Sequence, residues 1–224
     1  MKLLSSALSP FAARVRLAIH AYSLPVEIAP ANLWLATGQQ KSPEYLAINP
    51  IGKVPTLILE DGTVIPESDT IVEYLADAFP NTGLRPNRAQ DMARARLLPR
   101  IYEQYVQTTA WGALFGQVFA QTRDPAAIEA AHTRVHAGLG YLEHFMSDDP
   151  FAVSDRITTA DCALVPFCYF HALLLRTLGK EDPSLARPKL AAYLERIHRD
   201  PVIQRIVAEI REGLATSRLA VLLG

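Results

Sequence analysis

Ser9 stands directly before Pro10 in "SSALSPFAARVRLAIH" (5–20), where a helical pattern begins, so a hydroxyl is placed at a helix mouth. The serine side chain can cap that helix, and proline at the first helical position gives up no hydrogen bond. A helix N-terminus offers free N–H donors and a partial positive charge, which favour anions. Two more polar features follow. "GKVP" (52–55) puts Lys53 in a loop ahead of a hairpin, and "ESD" (67–69) opens another helix. Two helix termini around one lysine-bearing loop have the means to hold a small, multiply charged acidic ligand. Each feature alone also has a plain structural reading, as a cap, a loop or a first helical turn.

Other reactive residue types carry less. His132, His136 and His144 share a helical face, and an i, i+4 histidine pair can bind zinc. No glutamate lies between the first two and no third ligand is evident, so the expectation is a surface stripe and no metal site. Cys162 and Cys168 are six apart, which fits neither a disulfide framework nor a C-x-x-C pair. They are expected as small core residues in a reducing compartment. His171, inside "FCYFHALLL", reads as a satisfied core histidine, and Ser5 and Ser6 lack a paired base.

The elements that must position these groups are legible from periodicity. A strand is expected over 2–6, then a helix from Pro10 burying one face through Phe11, Val15, Ile19 and Tyr22. A second strand at 25–28 and a short irregular helix at 41–47 follow. "VPTLILEDGTVI" reads as a hairpin turning at Asp61-Gly62. Glu67 and Ser68 open a helix with an Ile71, Val72, Leu75 and Phe79 stripe. "PNTGLRPN" (80–87) breaks every pattern and reads as a linker. Beyond it helices are expected over about 88–120 with a bend at Pro99, then 125–146, 159–178, 188–199 and 201–212. The class is α+β, with one domain over 1–80 and an all-helical one over 88–224.

Composition sets outer limits. The 224 residues are 50% apolar, enough for a sizeable core. Twenty-two Lys and Arg against 23 Asp and Glu leave a net charge of −1, which gives no support to a nucleic-acid partner. No apolar run approaches a membrane span, and Met1–Leu8 lacks the core of a signal peptide. A soluble cytoplasmic protein with no membrane or nucleic-acid partner is expected.

Taken together and in order, "SPFAARVRLAI", "YLAINPIGKVPTLILEDG" and "IPESDTIVEYL" resemble the cytosolic glutathione transferase family. "SDRITTADCALVPF" (154–167) is similar to the capping segment of that family's helical domain, with Thr158 and Asp161 at capping-box spacing. The resemblance implies a thioredoxin-like first domain (βαβαββα) and an all-α second domain that forms the wall of an electrophile pocket. It implies a serine-type enzyme near the theta, zeta and tau classes, in which Ser9 donates a hydrogen bond to the glutathione sulfur and Phe11 lies beside it. Lys53 would face the glycine carboxylate of glutathione, with Gln40 and Lys41 as further carboxylate contacts. Val54 would pair its backbone with the cysteinyl unit ahead of a cis Pro55. Glu67 and Ser68 would receive the γ-glutamyl amine and carboxylate.

Tyr102, Tyr105, Trp111 and Phe115 read by pattern as interdomain core; by resemblance Tyr105, Trp111 and Phe115 would wall the electrophile pocket, and Glu103 would reach across a homodimer interface. Serine at position 9 disfavours thiol–disulfide exchange, which needs a cysteine there. The "SSC" stretch of zeta-class maleylacetoacetate isomerases is missing. The implied function is detoxifying conjugation of glutathione, a co-substrate, to a small apolar electrophile. The alternatives are a glutathione-dependent isomerase of maleylacetoacetate or maleylpyruvate type and a non-catalytic binding or regulatory protein.

Overall fold

The computed structural model describes residues 1–30 and 42–224, and Gln40 and Lys41 lie outside them. Strand β1 (Lys2–Ser5) leads into α1 (Pro10–Tyr22), followed by β2 (Glu27–Pro30), α2 (Pro43–Ile48), β3 (Thr56–Ile58), β4 (Val64–Pro66) and α3 (Ser68–Ala78). The sheet order is β2-β1-β3-β4. β1 runs parallel to β2 and antiparallel to β3, with Leu3 opposite both Ile28 and Leu57. A right-handed helical crossover is what a parallel β1–β2 pair requires, and α1 supplies the helix.

β2 begins two residues later than the pattern predicts. Val26 donates to Leu24 O (2.7 Å) in a turn, and ladder pairing starts only where Glu27 N reaches Met1 O (3.1 Å). The hairpin forms as predicted around Asp61-Gly62, by a three-residue loop. Gly62 N donates to Leu59 O (3.1 Å), Leu59 N to Thr63 O (2.9 Å), and Gly62 takes φ +86°. A turn closed by a left-handed residue needs glycine there.

The helical half comprises α4 (Ala89–Tyr102), a wider π-helical stretch over Glu103–Trp111, α5 (Gly112–Val118), α6 (Pro125–Phe145), α7 (Thr159–Thr177), α8 (Pro188–Ile197) and α9 (Pro201–Ala215). Pro99 is accommodated inside α4, and the irregularity predicted at it lies four residues further on. Residues 80–87 are not a free linker. Leu84 is fully buried, its carbonyl accepts from Thr159 N (3.0 Å), and Arg85 bridges Glu73 and Asp77.

α1 buries nearly its whole circumference, not the single face predicted. Ala12, Ala13, Val15, Leu17 and Ala18 are all inaccessible, while Phe11 is 39% exposed. Packing against α3, α7 and α9 explains this. One buried cluster therefore runs from Leu3 in β1 through α1 to Leu174 in α7 and Leu214 in α9. The predicted capping box opens α7: Thr158 N donates to Asp161 Oδ2 (2.9 Å). The buried Asp161 also accepts from Ala152 N (2.9 Å) and Tyr193 OH (3.1 Å), tying α7 to α8.

Candidate functional site

A cavity of about 250 Å³ opens between the start of α1, the loop before β3 and the start of α3, lined by Phe11, Lys53, Val54, Pro55, Glu67 and Ser68 among others. Six residues singled out from the sequence are thus brought onto one wall. The Val54–Pro55 peptide is cis. Its loop is held by two side chains that sequence reasoning missed. Tyr45 OH donates to Lys53 O (2.7 Å), and Asn49 Nδ2 reaches Lys53 O (3.0 Å) and Thr56 Oγ1 (2.9 Å). Asn49 Oδ1 in turn accepts from Ile51 N (3.1 Å), so one amide spans the whole turn. An asparagine between a helix and a glycine-bearing loop was the available signal.

Glu67 and Ser68 divide sharply. Ser68 is buried as the first residue of α3. Glu67 occupies the N-cap position with φ +67° and ψ 116°, and its side chain makes no capping hydrogen bond. A non-glycine residue at positive φ is strained, and such residues concentrate at ligand sites. The exposed carboxylate lines the cavity instead of serving the helix.

Ser9 is the N-cap of α1, as predicted. Its Oγ accepts from Ala12 N (3.2 Å), and the residue is 9% exposed. It does not belong to the set lining the cavity, whereas Phe11, two residues on, does. The accepting oxygen keeps its own proton, which is free to be donated.

From Phe11 an aromatic chain leads into the helical half. Phe11 meets Phe167 edge-on at 4.9 Å, and Phe167 meets Trp111 at 5.4 Å. The buried Arg14 guanidinium lies 4.7 Å over Phe167 and pairs with Asp69 Oδ1 (2.5 Å). Tyr105 does not join this group, contrary to expectation. It is 48% exposed and meets Tyr141 of α6 at 5.4 Å. The π stretch is the reason. Tyr102, Val106, Ala110 and Leu114 are all buried, so the inward line repeats every four residues. At that period each residue advances by about 90° in this widened helix, which puts Tyr105 on one flank and Trp111 and Phe115 on the other. Phe115 packs on Phe119 at 5.1 Å.

Of the rival groups, His171 is buried against Tyr102, whose hydroxyl meets its Nδ1. Its Nε2 finds no partner among the described residues, so the expected satisfaction is only half met. Burial pushes its pKa down to about 3. Burial also pushes the Cys168 thiol up to about 12 and the Cys162 thiol up as well, which keeps both protonated. His132 meets Glu181 O (3.0 Å) and His136 meets Arg187 (3.1 Å), so the histidines of α6 are engaged separately. Ser5 Oγ accepts from Arg16 (2.9 Å).

Family models for the glutathione S-transferase N-terminal domain and C-terminal domain match residues 3–83 and 125–196. The chain belongs to the glutathione S-transferase family. It is 32% identical to glutathione S-transferase 1 of Schizosaccharomyces pombe over 66% of this chain and 68% of that protein. It is 29% identical to a probable glutathione S-transferase of Oryza sativa over 99% and 94%. It is also 29% identical to maleylacetoacetate isomerase of Pseudomonas aeruginosa over 75% and 80%. The fold matches glutathione transferase F7 of Populus trichocarpa with a TM-score of 0.77, at 22% identity over 93% of this chain and 98% of that one. It matches Ure2p in complex with glutathione with a TM-score of 0.74, at 18% identity over 92% of each chain. No helix among the described residues is long and apolar enough to cross a membrane.

Proposed function

We propose that this transferase is of the serine type, with the thiol of bound glutathione made anionic by Ser9 and added to a small apolar electrophile. The observation that carries the reading is the wall formed by Lys53, Val54, Glu67 and Ser68 beside Phe11, with the Glu67 carboxylate released from helix capping. Glutathione has two carboxylates and one ammonium. Lys53 answers the glycine carboxylate, the Ser68 hydroxyl and the α3 N-terminus answer the γ-glutamyl carboxylate, and Glu67 answers the ammonium. Val54, before its cis bond, offers backbone to the cysteinyl unit. Gln40 and Lys41 are further candidates for the glycine end.

A free thiol has a pKa of roughly 8.5, so only a few per cent is thiolate at neutral pH. A hydrogen bond to a charged acceptor is worth roughly 1.5–3 kcal/mol, or about one to two pKa units. The Ser9 proton and the α1 N-terminus together are sufficient to ionise most of the bound thiol. Phe11 and the half-buried Trp111, both packed on the fully buried Phe167, supply the apolar side on which an electrophile would lie.

Ultraviolet titration of bound glutathione tests this. Ser9→Ala is expected to raise the thiol pKa and slow conjugation of 1-chloro-2,4-dinitrobenzene at pH 7 by about tenfold to a hundredfold. An unchanged titration curve removes Ser9 from the mechanism. Glutathione-dependent isomerisation is the second reading, favoured by the likeness to maleylacetoacetate isomerases of Pseudomonas aeruginosa and Rattus norvegicus. It starts from the same thiolate and is separated by assaying maleylacetoacetate directly. The groove of about 550 Å³ between α3 and α4, which Glu103 lines with Asp69, Leu97 and Arg100, is the surface we assign to a homodimer contact.

A further inference from the structure

Arg16 is 3% exposed, on the same helix that Ser9 caps. All three of its guanidinium nitrogens are engaged. Nη1 donates to Ser5 Oγ (2.9 Å) and Ser6 O (2.7 Å), Nη2 to Ala7 O (2.8 Å), and Nε to Glu209 Oε2 (2.8 Å). Ser6 O also accepts the backbone N–H of Ser9 (3.2 Å). The carbonyl that holds Ser9 is therefore itself held by Arg16, and Arg16 is held by α9, more than 190 residues away in sequence. Glu209 Oε1 accepts from Arg205 Nε (3.2 Å) and lies 3.0 Å from His20 Nε2, so the carboxylate is gripped from two elements.

One turn beyond Glu209, Gly213 presses on the same loop. A Cβ placed there would lie 2.7 Å from Leu8 N, 2.9 Å from Ala7 Cβ and 3.0 Å from Ala7 C. Backbone meets backbone, and no side chain fits between. The Ser5–Ser9 loop thus rests on α9 through an ion pair at one point and through bare backbone contact at the next.

We propose that Glu209 and Gly213 of α9 are positioning residues for Ser9, acting through Arg16 and the Ser5–Ser9 loop, so that the C-terminal helix sets how well the bound thiol is ionised. The inference rests on the assignment of Ser9 as the thiol's hydrogen-bond donor. A donor that stabilises a thiolate must be held to within a few tenths of an ångström, and small displacements are costly. The loop has little regular structure of its own to provide that stiffness, since β1 ends at Ser5 and α1 starts at Pro10.

The test compares Glu209→Ala, Glu209→Gln and Gly213→Ala with Glu212→Ala on the adjacent exposed position, each full-length and saturated with glutathione below its melting transition. The readouts are ultraviolet titration of the bound thiol and steady-state conjugation of 1-chloro-2,4-dinitrobenzene. Glu209→Ala and Gly213→Ala are expected to raise the thiol pKa by about half to one unit and to lower kcat about threefold to tenfold. KM for glutathione should stay within about twofold, because the cavity wall is untouched. Glu209→Gln, which keeps an acceptor for Arg16 Nε, should recover most of the loss, and Glu212→Ala should lose nothing. A lowered melting temperature with unmoved thiol pKa and kcat overturns the inference while leaving Ser9 in place, provided Ser9→Ala itself raises the pKa. If Ser9→Ala leaves the titration unchanged, the underlying assignment falls and this inference falls with it.

Discussion

At the scale of single residues, the proposed role of Glu67 separates ligand binding from stability. The residue holds a strained positive φ, and its carboxylate makes no capping hydrogen bond to α3. Glu67→Ala is expected to weaken glutathione binding by more than about tenfold, the loss of a charge-assisted contact, with the ligand-free melt nearly unmoved. Glu67→Gly should bind as poorly yet melt higher, by up to about 1 kcal/mol of relieved backbone strain. Calorimetric titration and thermal melts check both, and equal affinity in either variant would return Glu67 to a purely backbone role. His171 gives a pH signature. Burial holds its folded pKa at about 3 against an ordinary 6.5, so the unfolded chain takes up a proton that the folded chain refuses. Stability is full above pH 6.5 and is lost as pH falls from there toward 3. Glu209, held down to about 2 by His20 and Arg16 against the opposing effect of burial, adds stability that is full above its ordinary 4.5 and is lost only as pH falls from there toward 2. Melts between pH 6.5 and 5 should therefore drop in the wild type and flatten in the Tyr102→Phe/His171→Leu double variant. The Ser9 cap was legible because cap, proline and apolar spacing are local. Asn49, Arg14 and Arg16 were not, because what they touch is brought to them by folding.

At the scale of elements, the helix after the β–α half shows where periodicity fails as a guide. Its existence was plain, but its π stretch changed the repeat from 3.6 to about four residues and sent Tyr105 to the opposite flank from Trp111. Nothing in "IYEQYVQTTAWGALF" announces that widening, which goes with close approach of α6. Gly138 of α6 is a point of close approach, since a Cβ there would meet Tyr105 O at 2.4 Å and Val106 Cγ2 at 2.7 Å. Gly138→Ala is expected to destabilise by about 1–3 kcal/mol, as overpacking does. Gly116→Ala in α5, where nothing lies within 4 Å, should stabilise by up to about 1 kcal/mol through helix propensity. Urea midpoints measure both, and a Gly138→Ala midpoint at or above wild type would mean that α6 shifts freely. β2 starts two residues later than its apolar pattern for a similar reason. Leu24 and Val26 are apolar and buried, yet they belong to the turn that precedes pairing.

At the scale of the molecule, the α+β order could be read from pattern, whereas the joining of the halves could not. Sedimentation is expected to give a single species of twice the 24.7 kDa chain mass, with Leu97→Glu in the α3–α4 groove driving it to monomer. A monomer in the wild type contradicts the assignment of that groove. The core running unbroken from Leu3 through α1 to Leu174 has a consequence for how binding energy spreads. In the proposed binding mode glutathione touches only the sheet half, but with one shared core the most protected amides of α7 exchange only when the whole chain opens. Ligand at a hundred times Kd should then slow deuterium uptake in α7 by about a hundredfold, as much as in β1, although α7 lies in the other half of the chain.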